Sequence, residues 1–237
     1  MWGKMGGAGL GLVIGGPLGA LIGAAAGHFL MDAQGAPFGA PDREMVFTTG
    51  LVALSAKMAR ADGVVTHDEV RAFRQVVDVG PDDMPRIQAL FDLAKATTDG
   101  FEAYARQLGE LLADEKNLLE DILDGLFHIA KADHAIHEAE IAYCRKVAVQ
   151  FGFSESDFER VTARHVRQAS DPYVILGVDR EMSDGEIKAH HRRLIAENHP
   201  DREIARGLPP EAVSIATARV AALNAAYDRI KAERGIA

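Results

Sequence analysis

Apolar positions along this chain fall into three regimes. From Met5 to Met31 run 27 residues without a formal charge, more than the ~20 apolar residues that cross a bilayer as a helix. Inside and just before that run, Gly3, Gly7, Gly11, Gly15, Gly19, Gly23 and Gly27 recur every four residues. On a helix such a row makes one slowly winding stripe without side chains. In water it would be a poor helix, because each glycine costs about 1 kcal/mol relative to alanine. In lipid the backbone must bond internally, and glycines let two helices approach closely. The spacing therefore predicts a transmembrane helix over 1–31, with Gly7, Gly11, Gly15, Gly19, Gly23 and Gly27 as the seam of a homodimer. Residues 32–43 carry Gly and Pro without a period and read as a linker.

The second regime, 44–168, has helical periodicity throughout and no convincing alternation of strand type. It predicts helices over 44–61, 66–79, 82–96, 99–112, 115–132, 137–151 and 154–168. Thr66 with Glu69 forms a capping box, and Ser154 with Asp157 resembles one. An internal repeat sits here. Ala59-Arg-Ala-Asp62 and Glu69-Val70 align with Ala130-Lys-Ala-Asp133 and Glu140-Ile141. Seen twice at long period, this is a duplication that predicts a bundle of two similar units.

In the third regime Ser183 and Glu186 form a capping box that opens a helix. Ile187, Leu194 and Ile195 share one face of it, while Lys188, Arg192 and Arg193 make a basic patch elsewhere. Pro200 disfavours helical backbone at His199, so the helix ends near Asn198. His199-Pro200-Asp201 then lies in an exposed connection, with a loop from Arg202 to Pro210 and a long Ala-rich helical segment after it.

Charge and composition narrow the functions. The net charge of −9 is concentrated in residues 42–170, and an acidic middle argues against nucleic acid as a partner. Cys144 is the only cysteine, which excludes a disulfide framework and fits a small buried side chain. No nucleophile–base pair or phosphate-cradling loop is present, so the chain does not read as an enzyme.

The C-terminal region resembles the J domain of DnaJ-type co-chaperones over about residues 171–234. The resemblance rests on Asp171-Pro-Tyr-Val-Ile-Leu-Gly-Val178, Ile187-Lys188, Arg192-Arg193-Leu194, His199-Pro200-Asp201, Leu223-Asn224 and Ala226-Tyr227. It implies a helical hairpin that docks on a DnaK-type ATP-dependent chaperone through His199, Pro200, Asp201, Lys188, Arg192 and Arg193, and stimulates ATP hydrolysis there. His191, Asn198 and Val220 depart from the family pattern.

The middle region is similar to the TerB-like domain associated with tellurite resistance, an all-helical unit with Ala-Asp-Gly-type segments. That resemblance implies divalent metal at Asp62, Glu69, Asp133 and Glu140. Carboxylate oxygens suit hard cations. The simpler reading makes these residues turn and helix caps, which needs no cofactor. The order of the three regions resembles the DjlA-like family of membrane-anchored DnaJ-related proteins of Gram-negative bacteria.

The expected fold is all-α: a glycine-striped transmembrane helix over 1–31, a linker over 32–43, a TerB-like bundle over 44–168 and a J-domain hairpin over 169–237. The expected function is a single-pass inner-membrane co-chaperone with its C-terminal domains in the cytoplasm. It would bring a DnaK-type partner to client proteins or stress signals at the lipid bilayer. The alternative is a metal- or ligand-binding stress sensor or scaffold at the membrane, with a passive J-like hairpin.

Overall fold

A computed structural model of the chain describes residues 16–21, 43–61, 84–96, 100–131, 136–166 and 171–236. Helices α1 (Arg43–Ala61), α2 (Met84–Ala96), α3 (Phe101–Leu111), α4 (Lys116–Ala130), α5 (Glu138–Gln150) and α6 (Glu155–His165) build the middle region. The C-terminal region adds α7 (Pro172–Leu176), α8 (Asp184–Glu197), α9 (Pro200–Ala205) and α10 (Pro210–Arg234). No strand occurs among the described residues. The expected helix over 66–79 lies outside them, as do the linker positions 32–42.

Helix α4 is the axle of the molecule. Its segment from Leu118 to Ala130 is buried on nearly every side, because α1 and α5 cover one side and α6 and α10 the others. Gly125 sits where two of these neighbours converge. A Cβ there would lie 3.1 Å from Leu51 on α1 and 3.2 Å from Ile215 on α10, so any larger residue makes both side chains shift by a few tenths of an ångström. Leu51, Leu54, Leu108, Ile122 and Phe127 are fully buried around it. Tyr143 sends its hydroxyl to the Leu54 carbonyl at 2.8 Å, which satisfies the one polar atom that this aromatic brings into the core.

The C-terminal hairpin has its own small core of Tyr173, Leu176, Ile187, Leu194, Leu223, Ala226 and Ile230. The capping box at Ser183 and Glu186 forms as expected, with Ser183 N donating to Glu186 Oε2 at 2.9 Å. The box at Ser154 and Asp157 forms too. His191 stacks on Tyr227 at 4.1 Å between ring centroids and meets Asn224 Oδ1 at 3.0 Å. The departure from the family at position 191 therefore still fills the space between α8 and α10.

The hairpin is not separate from the bundle. Leu208, Ala212 and Ile215 belong to the same continuous core as α1 to α6. Burying a Leu or Ile side chain contributes about 1.5–3 kcal/mol each, and these three contacts join the two regions into one packed body. The Ala-rich character of α10 permits this, since Ala212 and Ala216 are both buried and small.

Within the N-terminal run, residues 16–21 form a helical turn. Leu18 and Leu21 are buried in the bundle core, and Leu18 N donates to Gln107 Oε1 at 2.8 Å. Among the described residues no helix is long and apolar enough to cross a membrane. The rest of the expected span, 1–15 and 22–31, lies outside the described residues, together with Gly7, Gly11, Gly15, Gly23 and Gly27.

Candidate functional site

The turn between α8 and α9 carries the His-Pro-Asp tripeptide, and its geometry corrects one expectation. The segment after it is not a plain loop. Pro200 is the first residue of α9, and His199 is its N-cap with extended backbone, φ −69° and ψ 131°. Proline is well suited to this first helical position, where its missing N–H has no helical partner to lose. His199 Nδ1 accepts from the Asp201 amide at 3.3 Å. That bond places the hydrogen of a neutral ring on Nε2, turned away from the cap. His199 is about half exposed and the Asp201 side chain is 82% exposed. The tripeptide is thus a fixed backbone turn that presents a ring and a carboxylate to solvent.

Lys188, Arg192 and Arg193 are all exposed on α8. Positions 188 and 192 stand one turn apart on the same face. His190 Nε2 donates to the Leu176 carbonyl at 2.9 Å, and its Nδ1 then accepts from Arg193 Nη2 at 2.8 Å. A neutral imidazole therefore ties α8 to α7 and orients one guanidinium of the basic face. The structure places Lys188, Arg192 and Arg193 exposed along α8 and His199, Pro200 and Asp201 just past its C-terminal end.

Of the four acidic positions in the repeat, Asp62, Glu69 and Asp133 lie outside the described residues. Glu140 is buried, and its Oε2 accepts from the His137 amide at 2.7 Å at the start of α5. That is the cap contact expected of the simpler reading. Among the described residues no group of His, Cys, Asp and Glu is arranged to hold a metal ion. Cys144 is buried, and burial pushes its thiol pKa up.

Sequence reasoning missed a buried ionic cluster directly behind the tripeptide. Arg219 of α10 is almost wholly buried. Its Nε donates to Asp124 Oδ2 at 2.8 Å, and its Nη1 donates to Asn198 Oδ1 at 3.0 Å. Arg164 of α6 reaches Glu120 at 2.7 Å and Asp124 at 3.0 Å. His165 meets Asp124 Oδ1 at 2.7 Å and stacks on Phe127. The signal was present in two places. Glu120, Asp121 and Asp124 interrupt an otherwise apolar helix at one-face spacing, and a lone arginine stands in the Ala-rich stretch of α10.

The carboxylates of this cluster divide by environment. Burial alone would raise Glu120 and Asp124. Arg219, Arg164 and Arg160 outweigh burial at Glu120 and hold it low. Arg164, Arg219 and the His165 bond hold Asp124 well below the usual range. Burial pushes Asp121 up to about 8 against the pull of Arg219, with Asp124, Glu203 and Glu120 adding repulsion. Arg219 Nη2 lies 2.6 Å from Asp121 Oδ1, yet neither atom has a well-aligned hydrogen bond. A poorly aligned contact offsets only part of this desolvation, so burial holds the Asp121 carboxyl above the ordinary carboxylate range.

A pH dependence follows. Folded Asp121 holds its proton to about pH 8, while the unfolded chain releases it near the ordinary 3.8. Between these values unfolding releases a proton, so rising pH favours the unfolded state, by at most about 1.4 kcal/mol per pH unit. Asp121→Asn removes that slope. Denaturant titrations from pH 5 to 8.5 should show wild type losing stability relative to the variant as pH rises. Parallel curves would mean that Asp121 is ionised in the folded protein.

Comparison with known proteins agrees with this geometry. The family model described as tellurite resistance protein TerB matches residues 48–163, and the DnaJ domain model matches residues 171–234. A Co-chaperone protein DjlA of Photobacterium profundum is 30% identical over 277 residues, covering 99% of both chains. One of Coxiella burnetii is 29% identical over 269 residues, covering 99% of this chain and 98% of its own. One of Shewanella oneidensis is 29% identical over 213 residues, covering 83% of this chain and 81% of its own. No solved structure matches.

Proposed function

We propose, from the premise that this chain belongs to the DjlA family of co-chaperones with its TerB and DnaJ domains, that it docks on a DnaK-type chaperone and accelerates ATP hydrolysis there. The observation that carries this reading is the exposed His199-Pro200-Asp201 turn, fixed in backbone and set at the end of a basic helix face. Lys188, Arg192 and Arg193 steer the chain onto an acidic partner surface. Asp201 offers its carboxylate to a partner arginine, the strong bidentate type of contact. Pro200 holds the turn and His199 orients it. The chain contributes no chemistry of its own. It favours the hydrolysing conformation of its partner by binding that conformation more tightly.

The test is the ATPase of a DnaK-type chaperone with and without the full chain, in the presence and absence of a chelator that leaves the nucleotide's Mg²⁺ in excess. Stimulation that is indifferent to the chelator is expected. Absence of stimulation, together with tight divalent-metal binding by the chain, would favour a metal-sensing scaffold with a passive hairpin.

In this reading the activity sits at the bacterial inner membrane, with the uncharged N-terminal run as a single-pass anchor and the folded domains in the cytoplasm beside the partner and its ATP. The middle domain then recruits clients or registers stress at the lipid surface. Full insertion of 1–31 draws Leu18 and Leu21 out of the bundle core into lipid, breaks the Leu18 N–Gln107 bond and leaves space the bundle must close. The glycine stripe pairs two copies, which raises the effective concentration of docking turns at one client. Gly15→Leu with Gly19→Leu should push the helices apart and leave insertion intact, since leucine favours the bilayer. A membrane dimerisation reporter carrying residues 1–35 should lose most of its signal in this variant. Equal signal at equal insertion would remove the glycines from the interface.

A further inference from the structure

The turn that bears the tripeptide is gripped on both sides by the middle domain. On the upstream side, Asn117 at the start of α4 donates from Nδ2 to the Glu197 carbonyl at 3.1 Å. Asn198, the residue directly before His199, receives Arg219 at its Oδ1, and Arg219 is anchored in turn on Asp124 of α4. Asn198 Nδ2 also closes the last turn of α8 by donating to the Leu194 carbonyl at 2.8 Å. On the downstream side, Arg206 at the end of α9 pairs with Glu115 at 3.3 Å. Gly207 then takes φ 70°, a conformation that favours glycine, and turns the chain so that Leu208 enters the core of the middle domain. Between these holds, His199 and Asp201 face solvent.

A six-residue helix such as α9 has too few hydrogen bonds to persist alone. Pro200 and the His199 cap shape the turn locally, but on so short a helix they need support from outside it. The residues that hold it from outside are Glu115, Asn117 and Asp124 of the middle domain, Asp124 acting through Arg219 of α10.

We propose that the middle domain is the template for the docking turn: Asn117 and Glu115 are positioning residues that act through the backbone at Glu197 and through Arg206 to hold His199-Pro200-Asp201 in its working geometry. This rests on the docking function proposed above. In that scheme the basic face of α8 governs how tightly the partner binds, and the turn governs how strongly it responds. The middle domain acts on the second quantity.

The experiment uses the full chain in detergent with Asn117→Ala/Arg206→Ala, two changes that lie outside the apolar core. Two readouts are taken. Hydrogen exchange at the amides of 201–206 should quicken about fivefold or more, as expected when one or two holding bonds are lost. In the chaperone ATPase, maximal stimulation should fall about threefold or more, while the half-saturating concentration stays within about twofold. Arg206→Lys on the Asn117→Ala background should recover part of both. Faster exchange with unchanged maximal stimulation would overturn the proposal, because a loosened turn would then work as well as a held one. Unchanged exchange would overturn it as well, because the contacts would not be holding the turn. If wild type itself does not stimulate the ATPase, the docking function fails while the exchange arm still judges the grip.

Discussion

His199→Gln, and separately Asp201→Asn, should reduce ATPase stimulation of a DnaK-type chaperone to the basal rate while leaving the fold intact. The size of the effect follows from where these side chains sit. Both face solvent, and neither contributes to either apolar core. Surface substitutions of this kind usually change stability by within about 0.5 kcal/mol. The one internal contact at risk is the cap from His199 to the Asp201 amide, at a long 3.3 Å. Losing a cap costs about 0.5–2 kcal/mol at most, and here it would act on one short helix whose flanks are held independently. Stability is therefore nearly blind to these changes.

Docking is not blind to them. Asp201→Asn keeps the shape and removes the charge, so the bidentate, charge-assisted contact to a partner arginine becomes an ordinary hydrogen bond. A charged contact broken at the centre of an interface typically costs about 2–5 kcal/mol, and a contact made chiefly to the hydrolysing conformation loses that stabilisation there, so maximal stimulation falls. Single-turnover ATPase with the full chain reads this directly, and circular dichroism with a thermal melt checks folding. Wild-type stimulation by either folded variant would remove the tripeptide from the mechanism.

Much of the fold was legible because its helices carry their own signals. The periodicity placed α1, α2, α3, α4, α5 and α6 within a few residues of where they stand. The capping boxes at Ser154 and Ser183 marked two starts. The exposure of Lys188, Arg192 and Arg193 was legible for the same reason, since the apolar spacing of Ile187 and Leu194 fixes which side of α8 is buried. The short helix α9 was not visible. A six-residue element carries less than two turns of pattern, and proline reads equally well as a break or as a first helical residue.

The joint between the regions was hidden for a different reason. Leu208, Ala212 and Ile215 look like the inner face of a hairpin helix, and nothing in local spacing says that they leave the hairpin for the bundle. Arg219 stands alone among alanines, but its partners, the acids of α4, lie about a hundred residues away in sequence. Burial of charge is a tertiary property, and sequence periodicity reports only which face a residue occupies. The metal reading of the repeat illustrates the same limit. Glu140 serves as a helix cap, and a Glu three residues after a cap position carries the same sequence signal whether or not it also binds a cation.

Arg219→Ala should be the most destabilising single change on the joint. Arg219 is buried against Asp124 and Asp121 and reaches Asn198 on the far side. Truncating it leaves Asp124 with Arg164 and His165 among the described residues, and it withdraws the guanidinium beside Asp121. Breaking a buried pair by removing one partner costs about 3–5 kcal/mol, because the remaining charge stays desolvated. The lost guanidinium also empties space between α4 and α10 that the small side chains there cannot close. Asp121 limits the loss, since burial favours its protonated form and leaves less charge to strand. Arg219→Ala combined with Asp121→Asn should therefore cost nearly as much as Arg219→Ala alone. Arg219→Ala combined with Asp124→Asn should recover part of the stability, because it removes the stranded charge. Urea titration of the full chain in detergent measures all three, and wild type should unfold in one transition because the two regions share a core. A cost below about 1 kcal/mol for Arg219→Ala, or two separate wild-type transitions, would mean that the hairpin rides on the bundle without being locked to it.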